Sequence, residues 1–235
     1  MAVTLPQGTE KRRVVEEMFD RIAPRYDVMN GLISLGTHRR WKRLAVDALG
    51  VAPGSCVLDL ACGTGDLLEE IDRVGAYGVG VDVSAGMLTA ARRRGVPGML
   101  VRASGDAMPL PTASVDGVVC GFALRNFVAI DDVLHEVARV LRQGARAAFL
   151  EVDRPTTPLL TGAHRLYFER VVPLVGGLLS DRSAYRYLPN SAAYLPDEDT
   201  LSALFVDAGF EPPEKRRLMM GAAQLVVSRR GGRPC

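Results

Sequence analysis

Between Leu58 and Leu68 the chain reads Leu58-Asp59-Leu60-Ala61-Cys62-Gly63-Thr64-Gly65-Asp66-Leu67-Leu68, an apolar strand pattern that turns through two glycines into a helix start. Such a turn constrains the fold strongly. Gly63 and Gly65 lack a Cβ, so the backbone can adopt left-handed dihedrals and a ligand can press against the main chain. That is the geometry in which a strand-to-helix loop holds a nucleoside cofactor. The dinucleotide pattern G-x-G-x-x-G requires a third small residue where this chain has Leu68, which argues against NAD. Asp66 at the helix start would repel a pyrophosphate and suit a cationic amine, so a cofactor with an amino acid end fits better.

Downstream, Tyr77-Gly78-Val79-Gly80-Val81-Asp82 reads as a second strand ending in a carboxylate, 19 positions after Gly63. In a doubly wound sheet neighbouring strands open their carboxyl ends onto one crevice, which puts Asp82 in reach of a ribose diol beside the glycine loop. Asp106, in Gly105-Asp106-Ala107 after a third strand at 98–102, is placed to accept from the amino group of adenine. Helix capping is the competing reading of both aspartates, since Ser84 and an Ala-rich run follow the first.

A chain of 235 residues, 48% hydrophobic, can form one large α/β domain. Its formal charge of +2 gives no reason to expect nucleic acid as a partner. The four cysteines form no C-x-x-C pair and have no histidines at zinc-ligand spacing, so neither a metal nor a disulfide is expected and a reducing cytoplasm is the expected setting. The stretch from Met1 to Lys11 lacks the apolar core of a signal peptide, and no run elsewhere approaches the length of a membrane span.

Periodicity predicts a loose tail over residues 1–10, an amphipathic segment from Val14 to Asp20 leading to Pro24, and then a helical hairpin that carries Trp41 to Leu49. Strands follow at 56–61, 77–82, 98–102, 115–120 and 145–152, with helices at 66–74, 84–94 and 130–141. The alternation breaks at Pro155, and the next helix runs from Pro196 to Ala208. Two strand-like runs, 213–220 and 222–228, close the chain as a hairpin. The expected organisation is an N-terminal tail and helical cap over 1–50. A domain over 51–235 follows, carrying a substrate-cap insertion at about 155–195.

Cofactor loop, acidic strand end, Gly-Asp-Ala and terminal strand pair together resemble the class I methyltransferases that use S-adenosylmethionine. The resemblance narrows at Phe19-Asp20-Arg21-Ile22-Ala23-Pro24-Arg25-Tyr26-Asp27-Val28-Met29-Asn30, then Ser34-Leu35-Gly36 and His38-Arg39-Arg40-Trp41-Lys42-Arg43. These look like the N-terminal signature of the UbiE/MenG family of quinone-biosynthesis C-methyltransferases. Gly121-Phe122-Ala123-Leu124-Arg125-Asn126-Phe127 is similar to its second signature, and Tyr187-Leu188-Pro189-Asn190-Ser191 to its third. Departures occur at Val152-Asp153-Arg154, where the family shows Phe-Ser-Lys, and at Gly221-Ala222-Ala223-Gln224 near the C-terminus.

The resemblance implies a Rossmann-like α/β fold with a mostly parallel seven-stranded sheet, a C-terminal antiparallel hairpin, N-terminal helices and an inserted cap. It implies S-adenosylmethionine held by Asp59, Ala61, Gly63, Thr64, Gly65, Asp82, Val83, Met87, Asp106 and Ala107. The implied acceptor is a ring carbon of a prenylated quinol of the demethylmenaquinol type, with a phenolic or polyketide acceptor, or a noncatalytic cofactor-binding scaffold, as alternatives. For a phenolate formed next to that carbon, Arg125 is the first candidate stabiliser, with a structural salt bridge as its competing role. Asn126 is expected to orient either group, and Tyr26 and Asp153 are candidate proton acceptors. Arg39, Arg40, Lys42 and Arg43, with His38 in the same run, read first as a solvated helix face. Their second reading is a peripheral contact with the inner face of a membrane. A homodimer is left open by the sequence.

Overall fold

Each buried strand carries two apolar faces, and the pleat sends them to two separate cores. The computed structural model describes residues 7–27, 31, 36–153 and 191–231. Its elements are α1 (Gly8–Ile22), α2 (Thr37–Leu49), β1 (Cys56–Leu60), α3 (Asp66–Arg73), β2 (Tyr77–Asp82), α4 (Ala85–Arg94) and β3 (Met99–Arg102). Then come β4 (Val115–Gly121), α5 (Ile130–Val140), β5 (Leu141–Val152), α6 (Glu198–Asp207), β6 (Glu214–Leu218) and β7 (Ala223–Arg229). The strands form one seven-stranded sheet in the order β3-β2-β1-β4-β5-β7-β6. Strands β1 to β5 are parallel, while β7 pairs antiparallel with β5 and with β6.

Leu58 and Leu60 of β1, Val118 and Cys120 of β4 and Phe149 of β5 pack with α5 and α6. Their sequence neighbours Val57, Val119, Ala148 and Leu150 pack with α2 and α3 on the opposite face. A sheet covered on both faces needs near-continuous apolar strands, which is why the runs around Val57 and Val118 lack polar alternation. Asp59 breaks that run. It shares the α2-facing side of β1 with Val57, and its residue is fully buried.

Most element boundaries follow the sequence reading, and two differ. Helix α1 begins at Gly8, within the stretch expected to be a loose tail. The reason is tertiary: Lys11 Nζ donates to the Phe127 carbonyl at 2.6 Å and lies 3.9 Å over the Tyr194 ring, so the start of the helix is anchored on the domain. Strand β5 begins at Leu141, four residues earlier than the periodicity implies, and its register against β4 shifts between Val115 and Gly117. Gly144, at φ 75°, supplies the left-handed residue in that irregular stretch. The cap expected over 155–195, together with the Tyr187–Asn190 part of the third signature, lies outside the described residues up to 190.

Order reverses at β1, whose neighbours are β2 on one side and β4 on the other. The crevice at the carboxyl ends of these strands is the place such a sheet offers a ligand.

Candidate active site

Past the end of β1 the chain passes through Ala61 (φ 57°), Gly63 (φ 55°) and Gly65 (φ 89°), all left-handed. At Gly65 the demand is steric as well, because a Cβ there would sit 2.8 Å from a Val96 methyl. Gly63 is uncrowded, and a Cβ built on it would meet one atom, Tyr26 Cε1, at 4.0 Å. Its N–H donates to Asp82 Oδ2 at 2.8 Å, and the Ser84 N–H donates to Asp82 Oδ1 at 2.8 Å. The carboxylate therefore ties the glycine loop to the end of β2. Asp82 is 8% exposed. Burial raises its pKa, and the bonds from Ser84 and Gly63 oppose that rise. Ser84, whose hydroxyl accepts from Met87 N–H at 3.0 Å, is the N-cap of α4. The capping reading of Asp82 thus holds only for its bond to Ser84, alongside its tie to the loop.

A cleft opens at this point. Ala61, Gly63, Asp82, Val83, Met87, Gly105, Asp106, Phe122, Asn126 and Phe127 line it. Arg12, Val15, Phe19 and Tyr26 come from the N-terminal segment to line it as well. Asp20 fastens that segment down, its Oδ1 accepting from Ser84 Oγ at 2.5 Å and from Gly86 N–H at 2.8 Å. Two of these lining residues pair, Arg12 Nη2 lying 2.5 Å from Asp106 Oδ2. Burial works against the charge on Asp106, but the Ser104 hydroxyl and the Arg12 guanidinium prevail and hold its carboxyl below the usual range.

Of the residues expected to bind the cofactor, the structure brings Ala61, Gly63, Asp82, Val83, Met87 and Asp106 to the cleft, and from the expected catalytic set Tyr26 and Asn126. The others lie nearby without lining it. Asp59 sits beneath the loop, and its two carboxylate oxygens have no hydrogen-bond partner among the described residues. Burial pushes its pKa well up, while the charge on Lys42 pulls it down. Thr64 donates to Asp27 at 2.5 Å, Gly65 caps α3, and the Ala107 N–H turns back to the Ser104 carbonyl at 3.2 Å.

Arg125 does not line the cleft. Its guanidinium bonds to Glu151 Oε1 and to the Phe122 carbonyl at 2.7 Å, with Nε donating to Ser191 Oγ at 3.0 Å. Arg125 is 4% exposed and Glu151 1%. This is the salt-bridge arrangement, which fixes the Leu124–Asn126 turn beside β4. Asp153 also stands apart, 3.3 Å from Lys215 and 3.6 Å from Arg217.

Three expectations around α2 and α3 are corrected. Lys42 and His38 are buried rather than on a solvated face, whereas Arg39, Arg40 and Arg43 are exposed. Lys42 Nζ lies 2.5 Å from Asp66 Oδ2 because α2 packs across the start of α3. Asp66 is thereby occupied by Lys42 and by Arg94 at 2.6 Å, and does not line the cleft as an amine-binding carboxylate. Sequence reasoning missed Arg12, Val15 and the cation partners of Asp66. The basic Lys11-Arg12-Arg13 run was the available signal for α1, but nothing local to it marks a distant partner.

S-adenosylmethionine fits this set of residues. An open glycine loop, a carboxylate at the end of β2 and another in the loop after β3, apolar side chains from Met87 and Phe127, and an unpartnered buried carboxyl beneath the loop suit a nucleoside joined to a charged amino acid. Magnesium protoporphyrin IX methyltransferase from Synechocystis, solved with bound SAH, superposes with a TM-score of 0.67 at 18% identity over 94% of this chain and 100% of that one. The [4+2]-cyclase SpnF gives 0.68 at 15% identity over 97% and 99%, so the fold alone does not choose the reaction. Fold and cleft together are those of the Rossmann-like, S-adenosylmethionine-dependent methyltransferases. Within that class the chain belongs to the ubiE/COQ5 methyltransferase family, whose model matches residues 7–229. It is 41% identical over 211 residues to the protein named ubiquinone/menaquinone biosynthesis C-methyltransferase UbiE from Hahella chejuensis, covering 86% of this chain and 85% of that one. The Escherichia coli K12 protein of the same name is 40% identical over 226 residues, covering 92% and 90%.

Proposed function

We propose that the protein methylates a ring carbon of a prenylated quinol of the demethylmenaquinol type. The observation that carries the donor half is the Asp82 carboxylate bonded to Gly63 N–H inside a cleft walled by Met87 and Asp106. The acceptor half is supported by the two relatives named for ubiquinone and menaquinone C-methylation, each about 40% identical over most of the chain.

Bound S-adenosylmethionine supplies an electrophilic methyl group on a sulfonium. The chain aligns the two reactants and keeps water out. Gly63 and Ala61 offer backbone to the donor's amino acid end, Asp82 binds the ribose diol, and Asp106 meets the adenine end. Asn126, which lines the cleft next to Phe122 and Phe127, is the polar group placed for the acceptor's ring oxygen. Arg125 acts as a positioning residue: held by Glu151, it fixes the turn that presents Asn126. Its guanidinium is too basic to serve as a proton acceptor; the ring hydroxyl gives its proton to solvent before the acceptor is enclosed, and the hydrogen displaced from the methylated ring carbon returns to that oxygen as the ring regains aromaticity. Tyr26 covers the loop from the N-terminal side. Asp153, paired with Lys215 and Arg217, has no part in this chemistry.

Collection of the quinol from a membrane surface belongs to the same reading. No helix among the described residues is long and apolar enough to cross a membrane. Exposed Arg39, Arg40 and Arg43 lie within one turn and a half of α2, where anionic headgroups would meet them.

The test is an acceptor panel at fixed donor: a prenylated demethylated quinol, the same ring without its tail, and simple phenols. Turnover of the prenylated quinol with loss of activity on removing the tail is expected. Preference for the phenols contradicts the acceptor assignment, and donor binding with no turnover of any of them favours a scaffold.

A further inference from the structure

The last turn of α4 carries Arg94 to a junction of three chain segments. Its Nη1 lies 3.0 Å from Asp27 Oδ2, 3.2 Å from Thr64 Oγ1 and 2.6 Å from Asp66 Oδ1. Nη2 lies 2.6 Å from Glu69 Oε1. The Thr64 hydroxyl closes the figure by donating to Asp27 Oδ1 at 2.5 Å, and Lys42 takes the other oxygen of Asp66 at 2.5 Å. Asp27, Asp66 and Glu69 thus gather around one guanidinium, with Lys42 as the second cation. A planar fork with several fixed N–H vectors can serve these acceptors at once, which a single ammonium cannot.

The consequence for the cleft runs through Asp27. Its chain neighbour Tyr26 lines the cleft, with Cε1 at 4.0 Å from the Cβ position of Gly63 and its ring edge-on to Phe19 at 6.1 Å between centroids. Thr64 and Asp66 flank the other glycine of the same loop. Arg94 therefore holds the tyrosine-bearing segment and the glycine loop at a fixed separation, although it does not line the cleft itself.

We infer that Arg94 is a positioning residue for methyl transfer: by tying Asp27 to Thr64 and Asp66, it sets Tyr26 over the glycine loop and so encloses the sulfonium end of the donor. The inference rests on the reading that the donor lies against Gly63. It concerns donor binding and leaves acceptor recognition alone, which makes it separable from a general loss of fold.

The experiment is a double-mutant cycle on the full chain, with S-adenosylhomocysteine titrated calorimetrically and steady-state KM measured for donor and acceptor. Arg94→Ala is expected to weaken S-adenosylhomocysteine binding about tenfold and to raise donor KM likewise, with acceptor KM unchanged. In a Tyr26→Ala background the same substitution should add less than about twofold, because the residue through which Arg94 acts is already gone. Arg93→Ala, on the same turn and likewise exposed but outside the junction, serves as the control and should leave binding unaltered. Additive losses in the double variant overturn the inference, as does unchanged donor binding in Arg94→Ala. A wild type that binds no S-adenosylhomocysteine overturns the functional reading and this inference together, so the two failures are distinguishable.

Discussion

The Asp82 carboxylate accepts the Gly63 N–H at 2.8 Å, joining the end of β2 to the glycine loop that follows β1. Because its second oxygen accepts from Ser84 at 2.8 Å, one side chain shapes the loop and also offers acceptor capacity to a ligand. Asp82→Ala should raise the donor dissociation constant by about ten- to a hundredfold, the loss expected when a charge-assisted hydrogen bond worth about 1.5 to 3 kcal/mol is removed. Asp82→Asn keeps an acceptor for one of the two N–H groups and should lose less. Calorimetric titration with S-adenosylhomocysteine checks both, and an unchanged constant in the alanine variant contradicts the ribose assignment.

Gly86 allows α1 to lie against the start of α4. A Cβ there would stand 2.9 Å from Asp20 Oδ1 and 3.1 Å from Asp20 Cα, and the second of these is backbone that cannot swing aside. Gly86→Ala should therefore loosen α1 at a cost of about 1 to 3 kcal/mol, despite the better helix propensity of alanine. Hydrogen exchange over residues 8–22 should accelerate relative to the sheet. Equal protection in variant and wild type refutes the packing account.

Lys42 and Arg94 give Asp66 a pH signature. Burial acts to raise the pKa of Asp66, yet the two cations outweigh it and bring the carboxyl from 3.8 down to about 2. Since the folded value lies below the unfolded one, the stabilisation is complete above about pH 4 and is lost as pH falls toward 2, amounting to roughly 2 kcal/mol. The stability difference between wild type and Asp66→Asn should be constant from pH 5 to neutrality and shrink below pH 4 in urea titrations. A difference that grows on acidification contradicts the assignment.

Glu151 neutralises Arg125 where water does not reach. Removing one member of a buried ion pair strands the other charge, so Glu151→Ala should cost about 3 to 5 kcal/mol of stability. Turnover should fall with it, because the Leu124–Asn126 turn loses its anchor. A variant with wild-type urea midpoint and wild-type kcat shows that the pair holds nothing in place.

The parts legible in the sequence are those whose geometry is set by neighbours in the chain. Gly63 and Gly65 announce a left-handed turn, Asp82 ends an unmistakable strand, and the alternation of apolar strands and helices gives the sheet. Lys42 and Asp66 are 24 residues apart, Arg125 and Glu151 are 26 apart, and Arg12 and Asp106 are 94 apart. No local pattern distinguishes a lysine destined for such a partner from one on a solvated face, so the run from His38 to Arg43 reads as uniform surface. Arg125 is instructive for the same reason. Its position after β4 is readable, but the direction of its side chain is decided by Glu151 on the adjacent strand.

Methyl transfer to a ring carbon of a prenylated quinol can be followed by isotope. Purified protein would be incubated with S-adenosylmethionine labelled in the methyl group and a chemically reduced demethylmenaquinone analogue, and the product fragmented by mass spectrometry. One labelled methyl on the quinone ring, retained after reoxidation, is expected. Label on a phenolic oxygen, or none in the quinol while S-adenosylhomocysteine binding is intact, would contradict C-methylation of the quinol.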